Sequence, residues 1–125
     1  MDKNFGQLYI GDKIYIYDYV KRIVLSYTIK HKIIDDLTVT FNFDGMREEL
    51  KVLSCNKRFS DFGAHIYSDK NLLLKDLLVE LKFVRIAIKN CQRVNDIKNM
   101  TSNMLAARKI YYSIQSIRYE NICQS

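Results

Sequence analysis

A chain of 125 residues with 48% apolar side chains, and with 20 Lys/Arg against 14 Asp/Glu, has enough material for one hydrophobic core and is too apolar for a disordered chain. Its three cysteines, Cys55, Cys91 and Cys123, are odd in number and lack any C-x-x-C spacing, which argues against a disulfide framework and against a zinc site. Every apolar stretch is broken by charge well short of the ~20 residues a bilayer span needs, and Met1-Asp2-Lys3-Asn4 lacks the opening of a secretory signal. The expected setting is therefore the cytoplasm, or a particle assembled there, with no membrane partner and no cofactor.

Charge is unevenly distributed. Met1 to Ser68 carries ten Lys/Arg against nine Asp/Glu, whereas Asp69 to Ser125 carries ten against five. A polyanionic partner would meet the second half first.

Gly11-Asp12 leads into Lys13-Ile14-Tyr15-Ile16-Tyr17, a β-branched and aromatic run that suits a pleated surface and predicts a first strand. From Ile23 the chain alternates, with Ile23, Leu25, Tyr27 and Ile29 on one side and Val24, Ser26, Thr28 and Lys30 on the other. This period of two marks a second strand, whose inward register His31 continues. Leu37, Val39, Phe41 and Phe43 give a third strand ending at the turn dipeptide Asp44-Gly45, and a fourth runs from about Met46 to Leu53. After a loop holding Asn56, Lys57 and Arg58, Phe62 to Tyr67 reads as a turn and a short fifth strand. Five short antiparallel strands in residues 1–68 predict a small closed barrel, which removes exposed sheet edges.

Residues 69–125 read as helical. Ser68 is the expected N-cap, followed by an apolar stripe of Leu74, Leu77, Leu81, Val84, Ile88 and Cys91 in steps of three and four. The pattern weakens around Asn99, and Thr101 or Ser102 offers a second cap. Met104, Ala107, Ile110, Ile114 and Ile117 then resume the stripe, which predicts a helical hairpin packed on the barrel. With no proline in the chain and no glycine after Gly63, one long helix that dimerises is the alternative.

The stretch Phe59-Ser60-Asp61-Phe62-Gly63-Ala64-His65-Ile66-Tyr67-Ser68-Asp69-Lys70, followed by Leu72 to Leu78, resembles the end of the small barrel in a diffuse group of uncharacterised proteins from phages and mobile elements of gut bacteria. The group's helix usually opens with Ser/Thr-x-Glu-Glu, from which Ser68-Asp69-Lys70-Asn71 departs. The resemblance implies an α+β fold with a Src-homology-like or Tudor-like barrel and an accessory role in a phage or mobile element, and it implies no chemistry.

Tyr15, Tyr17 and Tyr19 alternate on one strand face, as side chains that stack single-stranded bases do; the alternative is a second hydrophobic layer beneath the helices. Lys82, Arg85 and Lys89, with Lys75 and Arg93, fall on one side of the first helix, as a phosphate-tracking or partner-binding stripe would, or as a solvated face. The stripe Leu77, Leu81, Val84 and Ile88, with Ile110, Ile114 and Ile117, is a candidate oligomer interface.

Catalysis has little to stand on. Cys55, His65 and Asp61 have the residue types of a nucleophile, base and orienter but no local signature, and two histidines without a cysteine pair do not suggest a metal. Glu48 and Glu49 are adjacent, so on a strand they face opposite ways. Asp44-Gly45 lacks the glycine run and the Lys-Ser/Thr of a phosphate loop. The sequence therefore predicts a non-enzymatic module that binds a protein or a nucleic acid, with inhibition of a host defence system as one accessory role. The alternative is a structural or virion protein that oligomerises through its helices.

Overall fold

In a computed structural model, which describes residues 3–61 and 63–119 and the backbone of 123–124, the chain forms an antiparallel barrel-like sheet followed by two helices. The elements are a 3-10 turn (Phe5–Gln7), β1 (Lys13–Asp18), β2 (Ile23–Ile34), β3 (Thr38–Phe43), β4 (Leu50–Leu53), β5 (Arg58–Asp61), β6 (Ala64–Tyr67), α1 (Lys70–Arg93), α2 (Ile97–Arg118) and a two-residue β7 (Cys123–Gln124). Phe62, expected to open the fifth strand, and the Cys123 side chain lie outside the described residues.

The antiparallel strands run in the order β4-β3-β2-β1-β6-β5, and β7 pairs with β2 in parallel at Leu25 and Ser26. β2 is the spine. Its first half, Ile23 to Thr28, pairs with β1, and its second half, Ile29 to Ile34, pairs with β3. The register slips between Ile29 and His31, a bulge that adds one residue to β2 and increases its twist. The slip also breaks the alternation that would have turned His31 inward, so His31 is exposed. Near the gap between β4 and β5 sits the 3-10 turn, whose Phe5 N–H donates to the Asn56 carbonyl (2.8 Å) and Gly6 N–H to the Ser54 carbonyl (2.9 Å). Phe5 is fully buried there.

Two cores result. Inside the sheet, Phe5, Ile14, Ile29, Val39, Phe41, Phe43 and Val52 pack together, as the alternation of β3 requires. On the outer face of β1, β2 and β6, Tyr17, Val24 and Tyr67 meet Leu72, Leu73, Leu77 and Leu81 of α1 and Ile110, Ile114 and Ile117 of α2. In the first half of β2 the buried residues are therefore Val24 and Ser26, on the side expected to be polar, whereas on the expected inward side Ile23 is exposed and Leu25 and Tyr27 are only half-buried.

Four boundaries differ from the sequence expectation. The fourth strand begins at Leu50 rather than Met46. Arg58–Asp61, where the sequence pattern puts Arg58 in a loop and predicts no element for the rest, is a sixth barrel strand pairing with β6 at the sheet edge. The α1 cap is Asp69, whose carboxylate accepts from the Asn71 N–H (2.7 Å), while the Ser68 hydroxyl donates to the carbonyls of Lys3 and Lys57. The helical turn falls at Val94 to Asp96 instead of near Asn99. Asn95 takes the left-handed conformation at φ 58° that usually calls for glycine, and Asp96, not Thr101 or Ser102, caps α2 by accepting from the Asn99 N–H (3.2 Å).

Buried α1 residues end at Leu81 and those of α2 begin at Ile110, so the distal half of the hairpin is held by its own seam. Val84 and Ala107 pack there at the edge of the core, and farther out the Asn103 amide lies 3.8 Å from the Cys91 sulfur. The stripe offered for oligomerisation is spent within one chain. Leu77, Leu81, Ile110, Ile114 and Ile117 are buried, Val84 packs against them and Ile88 is half-buried, because folding back at Asn95 supplies the partner helix internally.

Candidate functional site

The sheet and α1 enclose a cleft of about 450 Å³ lined by Tyr17, Tyr19 and Tyr67, by His65 and Ser60 on the β5–β6 hairpin, and by Arg58, Asp76 and Glu80. Its polar groups are largely committed to one another. Arg58 forks onto Asp76, with Nε and one terminal nitrogen each 3.0 Å from a carboxylate oxygen, and the Tyr67 hydroxyl donates to the same carboxylate (2.9 Å). Arg22 pairs with Glu80. The Ser60 hydroxyl and His65 Nδ1 lie 2.8 Å apart across the two strands, and the Tyr19 ring stacks on His65 at 4.7 Å.

Arg22 fastens the β1–β2 turn to both helices. It holds φ 56°, its guanidinium reaches Glu80 of α1, and its carbonyl accepts from the Ser113 hydroxyl of α2 (3.1 Å). Below it lies the buried Tyr17 hydroxyl, which makes no hydrogen bond of normal geometry among the described residues. Burial, followed by the Glu80 charge, pushes Tyr17 up to about 12. Tyr67 is pushed up further, by burial and then by its hydrogen bond to Asp76.

The three tyrosines do not form one open face. Tyr17 is 2% exposed beneath the helices, Tyr15 packs half-buried against the same core, and Tyr19 lies past the end of β1 with its ring on His65. The layer between sheet and hairpin uses them instead, because a sheet carrying two amphipathic helices must bury its outer face. Nor are Cys55, His65 and Asp61 assembled. Cys55 sits in the turn entering β5, with its sulfur 3.7 Å from the Asn56 side chain, whereas His65 lies near the closed end of the β5–β6 hairpin. Among the described residues no three His, Cys, Asp or Glu side chains are grouped to hold a metal, and no helix is long and apolar enough to cross a membrane.

What the ion pairs do is sort charge on α1. Its acids, Asp76 and Glu80, are turned toward the sheet and matched by Arg58 and Arg22. The opposite face keeps Lys75, Lys82, Arg85, Lys89 and Arg93 exposed with no acid among them. Lys82, Arg85 and Lys89 thus stand on one open face, as their spacing requires. Sequence reasoning missed the apolar residues beside them: Val79, Phe83 and Ile86 are 49%, 65% and 45% exposed. Only the geometry of packing distinguishes them from the buried row of the same helix.

No family model, curated protein or solved structure matches this chain.

Proposed function

We propose that the chain is a non-enzymatic binding module whose partner is a protein with an acidic surface, engaged by the outward face of α1. One observation carries this reading: both α1 acids are drawn inward by barrel arginines, which leaves Lys82, Arg85 and Lys89 as an uninterrupted basic face with apolar neighbours. Apolar side chains gain little against a phosphate backbone and much against a protein surface. With Tyr17 buried, the barrel also lacks the three-ring platform that would favour single-stranded nucleic acid. The setting in a phage or mobile element, including interference with a host defence system, rests on the resemblance of the 59–78 stretch alone. A self-assembling structural role would need a surface other than the stripe of Leu77, Leu81, Ile110 and Ile114, which is filled within the chain.

The test compares retention on immobilised polyglutamate and on DNA at low and high salt. The chain should be held by polyglutamate at low salt and released at high salt. The triple reversal Lys82→Glu, Arg85→Glu, Lys89→Glu should abolish retention, while the same charge change at the exposed barrel residues Lys13, Lys30 and Lys51 should leave most of it. Equal loss from both triples, or retention on DNA alone, would overturn the proposal.

A further inference from the structure

The helix α1 carries two apolar rows, and among the described residues only one packs into a core. The inner row, centred on Leu77 and Leu81, closes on α2 and the sheet. The outer row steps by four, three and four through Val79, Phe83, Ile86 and Asn90, all exposed. That is the a/d rhythm of a coiled-coil seam, with Asn90 at an a-type position. In the same heptad frame Lys75, Lys82 and Lys89 occupy three successive g positions, the places where coiled-coil partners meet by charge.

We infer that this outer seam docks an amphipathic helix of a partner protein, apolar on one side and flanked by acidic residues that face Lys75, Lys82 and Lys89. The inference rests on the binding-module reading and names the partner's form. From Val79 to Asn90 the seam spans three turns, about 16 Å, a length that an i, i+3/i+4, i+7 set of anchors covers. Charge argues against the helical hairpin of a second copy as the occupant. Between Lys70 and Arg118 the only acids are Asp76 and Glu80, both paired inward, and Asp96, which caps α2. Two copies meeting antiparallel along this row would set lysine against lysine, and two meeting in parallel would offer the lysines only Glu80, already held by Arg22, and Ala87. A nucleic acid would leave the Phe83 ring and its neighbours unmatched, and a membrane surface would meet a row only three side chains long.

The experiment uses the full chain and a synthetic four-heptad peptide with Leu at a and d and Glu at e and g, whose glutamates keep it unfolded alone at neutral pH. Mixing should give saturable binding by fluorescence anisotropy and a gain of helix by circular dichroism. Phe83→Ser should weaken binding, and Lys75→Glu, Lys82→Glu, Lys89→Glu together should weaken it by about tenfold or more, each variant keeping the spectrum of the parent chain. A peptide of the same composition with its leucines scrambled should bind far less. Equal binding of both peptides would overturn the seam while leaving the binding-module reading intact. Failure of both peptides together with loss of polyglutamate retention would remove both proposals. Self-association of the unmixed chain that Phe83→Ser abolishes, or lysine-dependent binding of anionic vesicles or an oligonucleotide without peptide binding, would also overturn it.

Discussion

The two faces of α1 are built from the same residue types at the same helical spacing, yet one is sealed and the other stands in water. Leu73, Leu77 and Leu81 pack in one core with Tyr67, Tyr17 and Ile114, whereas Val79, Phe83 and Ile86 stand exposed outside the core clusters of the described residues. Apolar periodicity therefore fixes that a helix forms but not which row is buried. Here the charges agree with one rotation: Asp76 meets Arg58 and Glu80 meets Arg22 when Leu77 faces the sheet between them. The same rotation carries the lysines outward.

The contrast can be broken first where it is largest. Leu77→Ala should cost about 2–5 kcal/mol in urea unfolding because it leaves a cavity between helix and sheet, while Phe83→Ala should stay within about 0.5 kcal/mol. Equal losses would mean that both rows are packed. Next, Asp96→Ala removes the α2 cap and should cost about 1 kcal/mol in the same measurement. A smaller effect comes from the inward acids. A double-mutant cycle on Arg58 and Asp76, both partly exposed, should give a coupling of about 0.5–1 kcal/mol, reduced by salt. A coupling of zero would leave helix rotation to the apolar residues alone.

Alkaline pH probes the inner face differently. Tyr17 must be neutral in the folded chain, and its titration is pushed up to about 12 from the ordinary 10, so the unfolded state loses this proton first as pH rises. The Tyr17 contribution should be complete below pH 10 and fall between 10 and about 12, with Tyr67 acting in the same direction. Tyr17→Phe removes one of these groups and should make the fall shallower by circular dichroism. An unchanged alkaline limb would contradict the burial of its hydroxyl.

Most of the sheet was legible because alternation records a face: Val39, Phe41 and Phe43 are buried as their spacing demands. β5 was not, because Arg58-Phe59-Ser60-Asp61 is an edge strand with one apolar residue and no buried one, so it carries no alternation to read. The helical turn was displaced because Asn95 does the work expected of glycine, while Val94 and Ile97 beside it are apolar yet exposed. At the candidate site, the basic face followed from spacing alone. The tyrosine face did not survive as an open platform, whereas its alternative, a hydrophobic layer beneath the helices, did, with Tyr17 in the core under the hairpin and Tyr15 packed against it. The outer seam was hidden, its residues being indistinguishable in type from those of the core.

The most direct test replaces that outer row at once, Val79→Ser, Phe83→Ser and Ile86→Ser, with a residue of similar helix propensity so that only contacts change. Melting temperature and acidic-peptide binding are then measured on the same sample. A free docking face predicts a melt within about 3 °C of the parent chain and loss of peptide binding. A chain that unfolds, or one that binds the peptide as well as before, would contradict it.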